Sequence, residues 1–466
     1  MILTAAEVEA ITGGRLTGVR GDTPVASFAV DSRAVPVGAC FVALPGGRDG
    51  HTFVVDALAR GARLAVVERV PEGAGDSPLV VVGDTAAALT ELGREARRRL
   101  GATVVGVTGS VGKTSTKDLT GAVLSRGFAT HVSPESFNNE AGVPLTLLGA
   151  PEDAEVVVAE MGARFAGNIA DLAEVARPSV GIVTQVSLAH SEHLGPLPNI
   201  VAAKGELLEA LPASGLAVLN ADDGYGPGMA ARSPAPALLV GRTASGDAAV
   251  RVTVLSVGRD LRPVVRVESP WGTLEAVVGL RGAHQAQNAG LAAAVGLHLG
   301  VDPDDVAAGL GEAQGADHRM QVEGSPSGVI VVNDAYNANP ASMRAAIDAL
   351  RALPVDGRRV AVLGEMRELG SAAAAEHAGI GRLLGETGID VLVAVGGGPV
   401  EEMAGEAGSA GVAVLTVTDA AGAAAAVLDA VGPGDAVLVK ASRAVGLEAV
   451  ASALLAPGGA RRLRAP

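Results

Sequence analysis

The chain predicts an α/β protein of three domains, on three observations. From about residue 99 onward, short β-branched apolar runs alternate with amphipathic, alanine-rich segments, the pattern of parallel strands covered by helices. One such run, in VVGVTGSVGKTSTK (104–117), breaks into a glycine-bearing turn that opens a helix. The 466 residues, 48% of them hydrophobic, suffice for about three packed cores.

Residues 1–98 read as a small mixed α/β domain. It opens on a short helix and holds strands at 25–30, 39–44, 64–67 and 79–82, with 56–60 helical. A helix over 85–100 leads into the central domain, 99–316. Its apolar runs at 103–107, 155–160 and 180–185 predict a mainly parallel sheet, because strands covered on both faces lose the polar alternation. Residues 251–280 alternate instead, which predicts antiparallel strands, and a helix follows at 285–299. The last domain, 317–466, repeats the strand–helix alternation, with strands at 329–334, 359–363, 391–395, 413–417 and 436–440. The tail after residue 457 is expected to be loose.

Composition narrows the function. A net charge of −15 argues against general nucleic-acid or anionic-membrane binding, so anionic ligands must meet local positive sites. The single cysteine, Cys40, excludes an internal disulfide framework and suits a reducing compartment. The acidic first residues read as a folded helix rather than a signal peptide, and no apolar run reaches 18 residues. A cytoplasmic protein without membrane insertion is expected.

The turn at 109–115 carries the chemistry. Gly109 and Gly112 let backbone N–H groups close on an anion, and the helix N-terminus adds partial positive charge. Lys113 supplies a point charge for β/γ-phosphates, and the Thr114 hydroxyl is placed for a phosphate-bound Mg²⁺. Ser110 and Ser115 complete the loop. Val107 stands where the strict phosphate-loop pattern has a small residue. Only four lysines stand in the chain, against 32 arginines. Lys113, Lys204 and Lys440 lie in segments distinctive on other grounds, whereas Lys117 reads as chance retention.

Further candidates end strands or open helices. Glu160 closes a strand at the sheet's carboxyl edge, where a carboxylate can share the Mg²⁺ of Thr114. AHSEHLG brings His190 and His193, and VAAKGELL brings Lys204, whose amine, if buried and neutral, could take up CO₂ as a metal-binding carbamate. Arg319, in ADHRMQ, could stabilise phosphate charge from a neighbouring domain. Asp334 could accept from ribose hydroxyls, and Asn337, Asn339 and Pro340 make a turn and helix cap. Asp31-Ser32-Arg33 and the glycine-rich turn at 46–50 read alone as two turns.

In order, DSR, FVALPGGRDGH, TGSVGKTSTK, SFNNEAGVPLTLL, AEMGA, AHSEHLG, AAKGEL, LNADD, GAHQAQNA, DHRM, NDAYNANP, VLGEMRELG and VLVKASRAVGLE run through nearly the whole chain. This string resembles the ATP-dependent Mur ligases of peptidoglycan synthesis, in the branch that adds a dipeptide. The resemblance implies an N-terminal UDP-binding domain, a central ATPase and a C-terminal Rossmann-like domain. It implies an acyl-phosphate route joining D-alanyl-D-alanine to UDP-N-acetylmuramoyl-tripeptide, with ATP and two Mg²⁺ ions; a monomer is expected, although the sequence is silent on oligomeric state. On that reading Lys113 binds ATP phosphates, Thr114 and Glu160 hold one Mg²⁺, and His190 with a carbamylated Lys204 holds the second. Asn288 contacts adenine, Arg319 the γ-phosphate and Asp334 the ribose. Asn138 and Asn139 face the muramoyl substrate, Ser32 and Arg33 the uridine end. Lys440, Ser442 and Arg443, with Asn337 and Asn339, line the site from the last domain. His284-Gln285 stands where the family usually has His-Asn, and Ala441 and Val445 where it usually has glycine and methionine. Two rivals are a sister ligase adding one amino acid, whose usual Asp-Asn-Pro-Arg type motif is not found, and a catalytically silent nucleotide-binding relative.

Overall fold

The computed structural model describes residues 1–242 and 248–457, so the expectation for the tail past 457 lies outside the described residues. Three larger sheets follow one another along the chain. The first has the order Arg15–Thr17, Leu79–Val81, Leu64–Val67, Cys40–Val42, Phe28–Ala29. The expected strand at 25–30 splits: Pro24–Val25 pairs with Leu3–Thr4, while Phe28–Ala29 pairs with Cys40–Val42. Cys40 is buried in this unit and unpaired.

The second sheet has nine strands. From one edge they run Gly272–Val277, Pro263–Ser269, Val250–Val257, Ala237–Gly241, Leu216–Asn220, Val180–Val183, Thr103–Thr108, Val156–Glu160 and Thr130–Val132. Neighbours among the first three are antiparallel, as their alternation predicts, and Val250–Val257 joins them to the parallel part. Leu216–Asn220 and Ala237–Gly241 were not expected from sequence; apolar runs of five residues carry no period to distinguish strand from buried helix. Val105, Val158 and Ile182 face a core with Leu119, Val123 and Leu291. Val104 and Val157 face another with Leu89, Leu147 and Leu172, and that core also holds Leu3, Val42 and Val66 of the first unit. The first unit therefore packs on the central one through shared apolar surface.

Chain order reverses around Thr103–Thr108, since the strands after it lie on both sides. Open α/β sheets bind ligands at the carboxyl end of such a switch point. The third sheet runs Gln321–Gly324, Ile330–Asn333, Ala436–Lys440, Arg359–Gly364, Val391–Val395, Ala413–Val417, parallel except at its first strand. No helix among the described residues is long and apolar enough to cross a membrane.

Candidate active site

The loop after Thr103–Thr108 can close only because two residues lack side chains. Gly109 has φ 145°, and a Cβ there would lie 2.0 Å from Thr184 Oγ1; Gly112 has φ 87°, and a Cβ would lie 2.7 Å from Asn288 Oδ1. The loop is fastened to the next strand's exit: Ser110 N–H donates to Gln185 O at 2.7 Å, and Ser110 Oγ to Ser187 O at 2.8 Å. The helix Lys113–Leu124 follows with no side chain capping its N-terminus, so first-turn N–H groups, Ser115 among them, are left for an anion. Lys113 Nζ donates to Gly109 O at 2.9 Å, curled over the loop. Burial pushes this amine down, Glu160 opposes, and Arg319 adds to the lowering.

Below the loop, Thr114 Oγ1 donates to Glu160 Oε2 at 2.8 Å, and Asn138 Nδ2 donates to Glu160 Oε1 at 2.8 Å. Asn138 thus orients the carboxylate, while Asn139 Oδ1 accepts from Gly142 N–H at 2.9 Å to hold the next turn. Mg²⁺ takes one or two protein oxygens and completes its octahedron with phosphate and water. A buried hydroxyl and carboxylate side by side fit that ion. From the last unit, Arg319 donates to Ser136 Oγ at 3.3 Å, lies 4.1 Å from the Tyr336 ring centroid, and keeps a buried Nε without a hydrogen-bond partner among the described residues. A phosphate oxygen would satisfy that donor.

The expected second metal pair is arranged differently. His190 contacts Glu368 through Nδ1, across the boundary to the last unit, where Ser191 Oγ also donates to Leu369 O at 3.1 Å. Burial pushes the imidazole down, Lys113 adds to this, and Glu368 opposes it. Lys204 is 1% exposed and its amine has no hydrogen-bond or ion-pair partner among the described residues. Burial, reinforced by Lys113, pushes it down to about 7. A neutral amine is a poor ligand for a hard cation, and no group of three or more His, Cys, Asp or Glu that could hold a metal occurs among the described residues. A second ion therefore fits only once that amine has become an oxygen donor. The two following residues serve the fold: Gly205 leaves room for Arg232, and Glu206 accepts from the N–H groups of Gly167, Ile169 and Ala170.

In the last unit, Lys440 Nζ donates to Asp334 Oδ2 at 2.6 Å and Asn337 O at 2.8 Å, and Asp334 Oδ1 accepts from Met320 N–H. Asn337 Oδ1 accepts from Ala338 N–H, and Asn339 caps the Pro340–Ala352 helix as its position before proline predicts. Ser442 Oγ accepts from Arg367 N–H at 2.8 Å; Arg443 lies 5.7 Å from the same Tyr336 ring. Tyr336 was missed in the sequence, although NDAYNANP holds one of two tyrosines in the chain. Ala441 fits because its methyl occupies the space a Cβ on Gly364 would need. Gln285 accepts from Asn288 Nδ2 at 2.8 Å and so steadies the side chain against the loop. On the first unit, Ser32 is buried and Arg33 is paired with Asp31; neither hydrogen-bonds to the phosphate-loop cluster among the described residues.

Known proteins are similar to this chain in sequence and fold. The family model described as Mur ligase middle domain matches residues 107–296, and that described as Mur ligase, glutamate ligase domain matches 318–443. The UDP-N-acetylmuramoyl-tripeptide–D-alanyl-D-alanine ligase of Mycobacterium bovis is 40% identical over 97% of this chain and 98% of its own. Its namesake from Escherichia coli is 34% identical over 84% and 86%. Among solved structures, MurF from Acinetobacter baumannii superposes with a TM-score of 0.85 at 29% identity, covering 98% of this chain and 99% of that one. MurF from Thermotoga maritima, solved with ADP, gives 0.74 at 29% over 91% and 96%. With a central switch-point phosphate loop, a hydroxyl–carboxylate pair beneath it and relatives alike from end to end, the chain belongs to the Mur ligase family.

Proposed function

We propose that this chain joins D-alanyl-D-alanine to UDP-N-acetylmuramoyl-tripeptide at the expense of ATP, as a cytoplasmic monomer. The observation that carries the reading is the meeting of Thr114, Glu160 and Arg319 around Ser136, two of them from the central unit's loop and strand end and one from the last unit. Lys113 and the open helix N-terminus hold the ATP phosphates, with Asn288 toward adenine and Asp334 toward ribose. Thr114 and Glu160 would hold a Mg²⁺ ion, which would supply charge neutralisation to the phosphates when bound. The tripeptide carboxylate attacks the γ-phosphorus and ADP leaves; Lys113 and Arg319 stabilise the equatorial oxygens during transfer. The dipeptide amine then attacks the acyl phosphate carbon, inorganic phosphate departs, and the amine gives up a proton as the amide forms. Ser32 and Arg33 take the uridine end, and Lys440, Ser442 and Arg443 line the acceptor side.

A Lys204 amine near 7, without a partner among the described residues, is about half neutral at neutral pH, the form that reacts with CO₂, and a carbamate there would give a second Mg²⁺ an anionic oxygen beside His190. A ¹³C resonance from labelled bicarbonate, absent in Lys204→Ala, tests this. The function is tested by ADP release from UDP-muramoyl-tripeptide with D-alanyl-D-alanine, D-alanyl-D-lactate or single amino acids. Release with the dipeptide is expected. Release with one amino acid alone would mark a sister ligase, and none with any acceptor a silent relative.

A further inference from the structure

The structure assigns Lys117 as a positioning residue: through the 133–138 loop it sets where Ser136 and Asn138 meet the Thr114–Glu160 pair. This rests on the placement of a divalent ion at that pair. Lys117 lies one turn beyond Lys113 on the same helix face, yet its ammonium is turned to the 133–138 loop. It is 2% exposed, and its ammonium is saturated: Ser133 O at 2.9 Å, Glu135 O at 2.7 Å and Asp118 Oδ1 at 2.9 Å. Two of those acceptors are backbone carbonyls of one loop. Between and beyond them the loop does its work: Ser133 Oγ accepts from Glu160 N–H at 2.9 Å, Ser136 Oγ stands 3.5 Å from Thr114 Oγ1, and Asn138 grips Glu160.

Glu135 sits at φ 43°, a left-handed conformation unfavourable for a side-chain-bearing residue. Such strain persists only where neighbours over-determine it, and here the lysine holds the carbonyl of the strained residue itself. Released, residue 135 would relax to negative φ and turn Ser136 away from Thr114 and Arg319. Burying an ammonium costs several kcal/mol of desolvation, which only filled donors offset, and all three are filled here. In a chain with four lysines, this one survives as a clamp rather than by chance.

The test is Mn²⁺ binding in the presence of ADP, followed by electron paramagnetic resonance on the full chain at 10 °C, with melting temperature and KM for Mg²⁺ beside it. Lys117→Met and Ser136→Ala are each expected to weaken Mn²⁺–ADP binding by about 10- to 100-fold, the usual cost of losing an outer-shell support. KM for Mg²⁺ should rise more than kcat falls. Lys117→Met should also melt lower, but a purely structural lysine would lower melting alone. Wild-type Mn²⁺ affinity in folded Lys117→Met overturns the inference; if that variant does not fold, wild-type affinity in Ser136→Ala does so. Thr114→Ala separates the levels. If it keeps full Mn²⁺–ADP affinity, the metal placement itself is wrong; if it alone loses affinity, only the clamp is.

Discussion

Lys204 and Lys440 are buried to the same degree, in the central and last units, and they are treated oppositely. Lys440 closes a strand beside Asp334 and fills its donors with that carboxylate and two carbonyls. Lys204 points into the space near Lys113 with no partner among the described residues, and burial has taken its amine down to about 7. A buried cation whose donors are filled fixes the segments that supply its acceptors; one without such acceptors keeps its donors for a ligand. Arg319 belongs to the second kind, through its unpartnered Nε, and Lys117 to the first.

Substitutions can break or sharpen that contrast. The largest effect is expected from Arg319→Ala: kcat should fall about 10³-fold or more, as when an arginine is removed from phosphoryl transfer, with the melting temperature nearly unchanged. Next, Lys440→Met strands Asp334 and should destabilise the last unit by about 3 kcal/mol, read by urea unfolding. Lys204→Met should abolish turnover yet unfold no more easily than the parent. The sign follows from the shift: with the amine near 7 in the fold and at an ordinary 10.5 unfolded, the unfolded chain binds more protons between those values, so parent stability rises with pH across that window. The advantage of Lys204→Met should therefore be full below pH 7 and fade toward pH 10.5. Equal destabilisation by the two lysine substitutions would end the distinction. At the small end, Arg20 and Asp22 form an ion pair 84% and 67% exposed, and Arg20→Ala should leave the melting curve where it was.

Much of this was legible in residues alone. The phosphate loop reads from Gly109, Gly112, Lys113 and Thr114, because an anion site built from backbone N–H groups and a helix end is a local structure. Glu160 reads from its place at a strand end, and Asn339 from the proline after it. Asn138 came only through the family resemblance, as a contact to the muramoyl substrate and not as the residue that holds Glu160, and Lys117 was taken for chance; both act on partners more than fifteen residues away. Tyr336 escaped notice because a ring beneath two guanidinium groups leaves no spacing rule in the chain.

By itself the sequence determined the alternation of strands and helices, the glycines that permit the loop, and the kinds of group available for phosphate and metal. Those follow from backbone sterics and side-chain chemistry, which act over a turn or a strand. Tertiary structure alone decided which buried cations are paired and which stand open, since that depends on carbonyls and carboxylates delivered from distant segments. It also decided that Arg319 meets Ser136 and that His190 meets Glu368, contacts set by how one sheet docks against another.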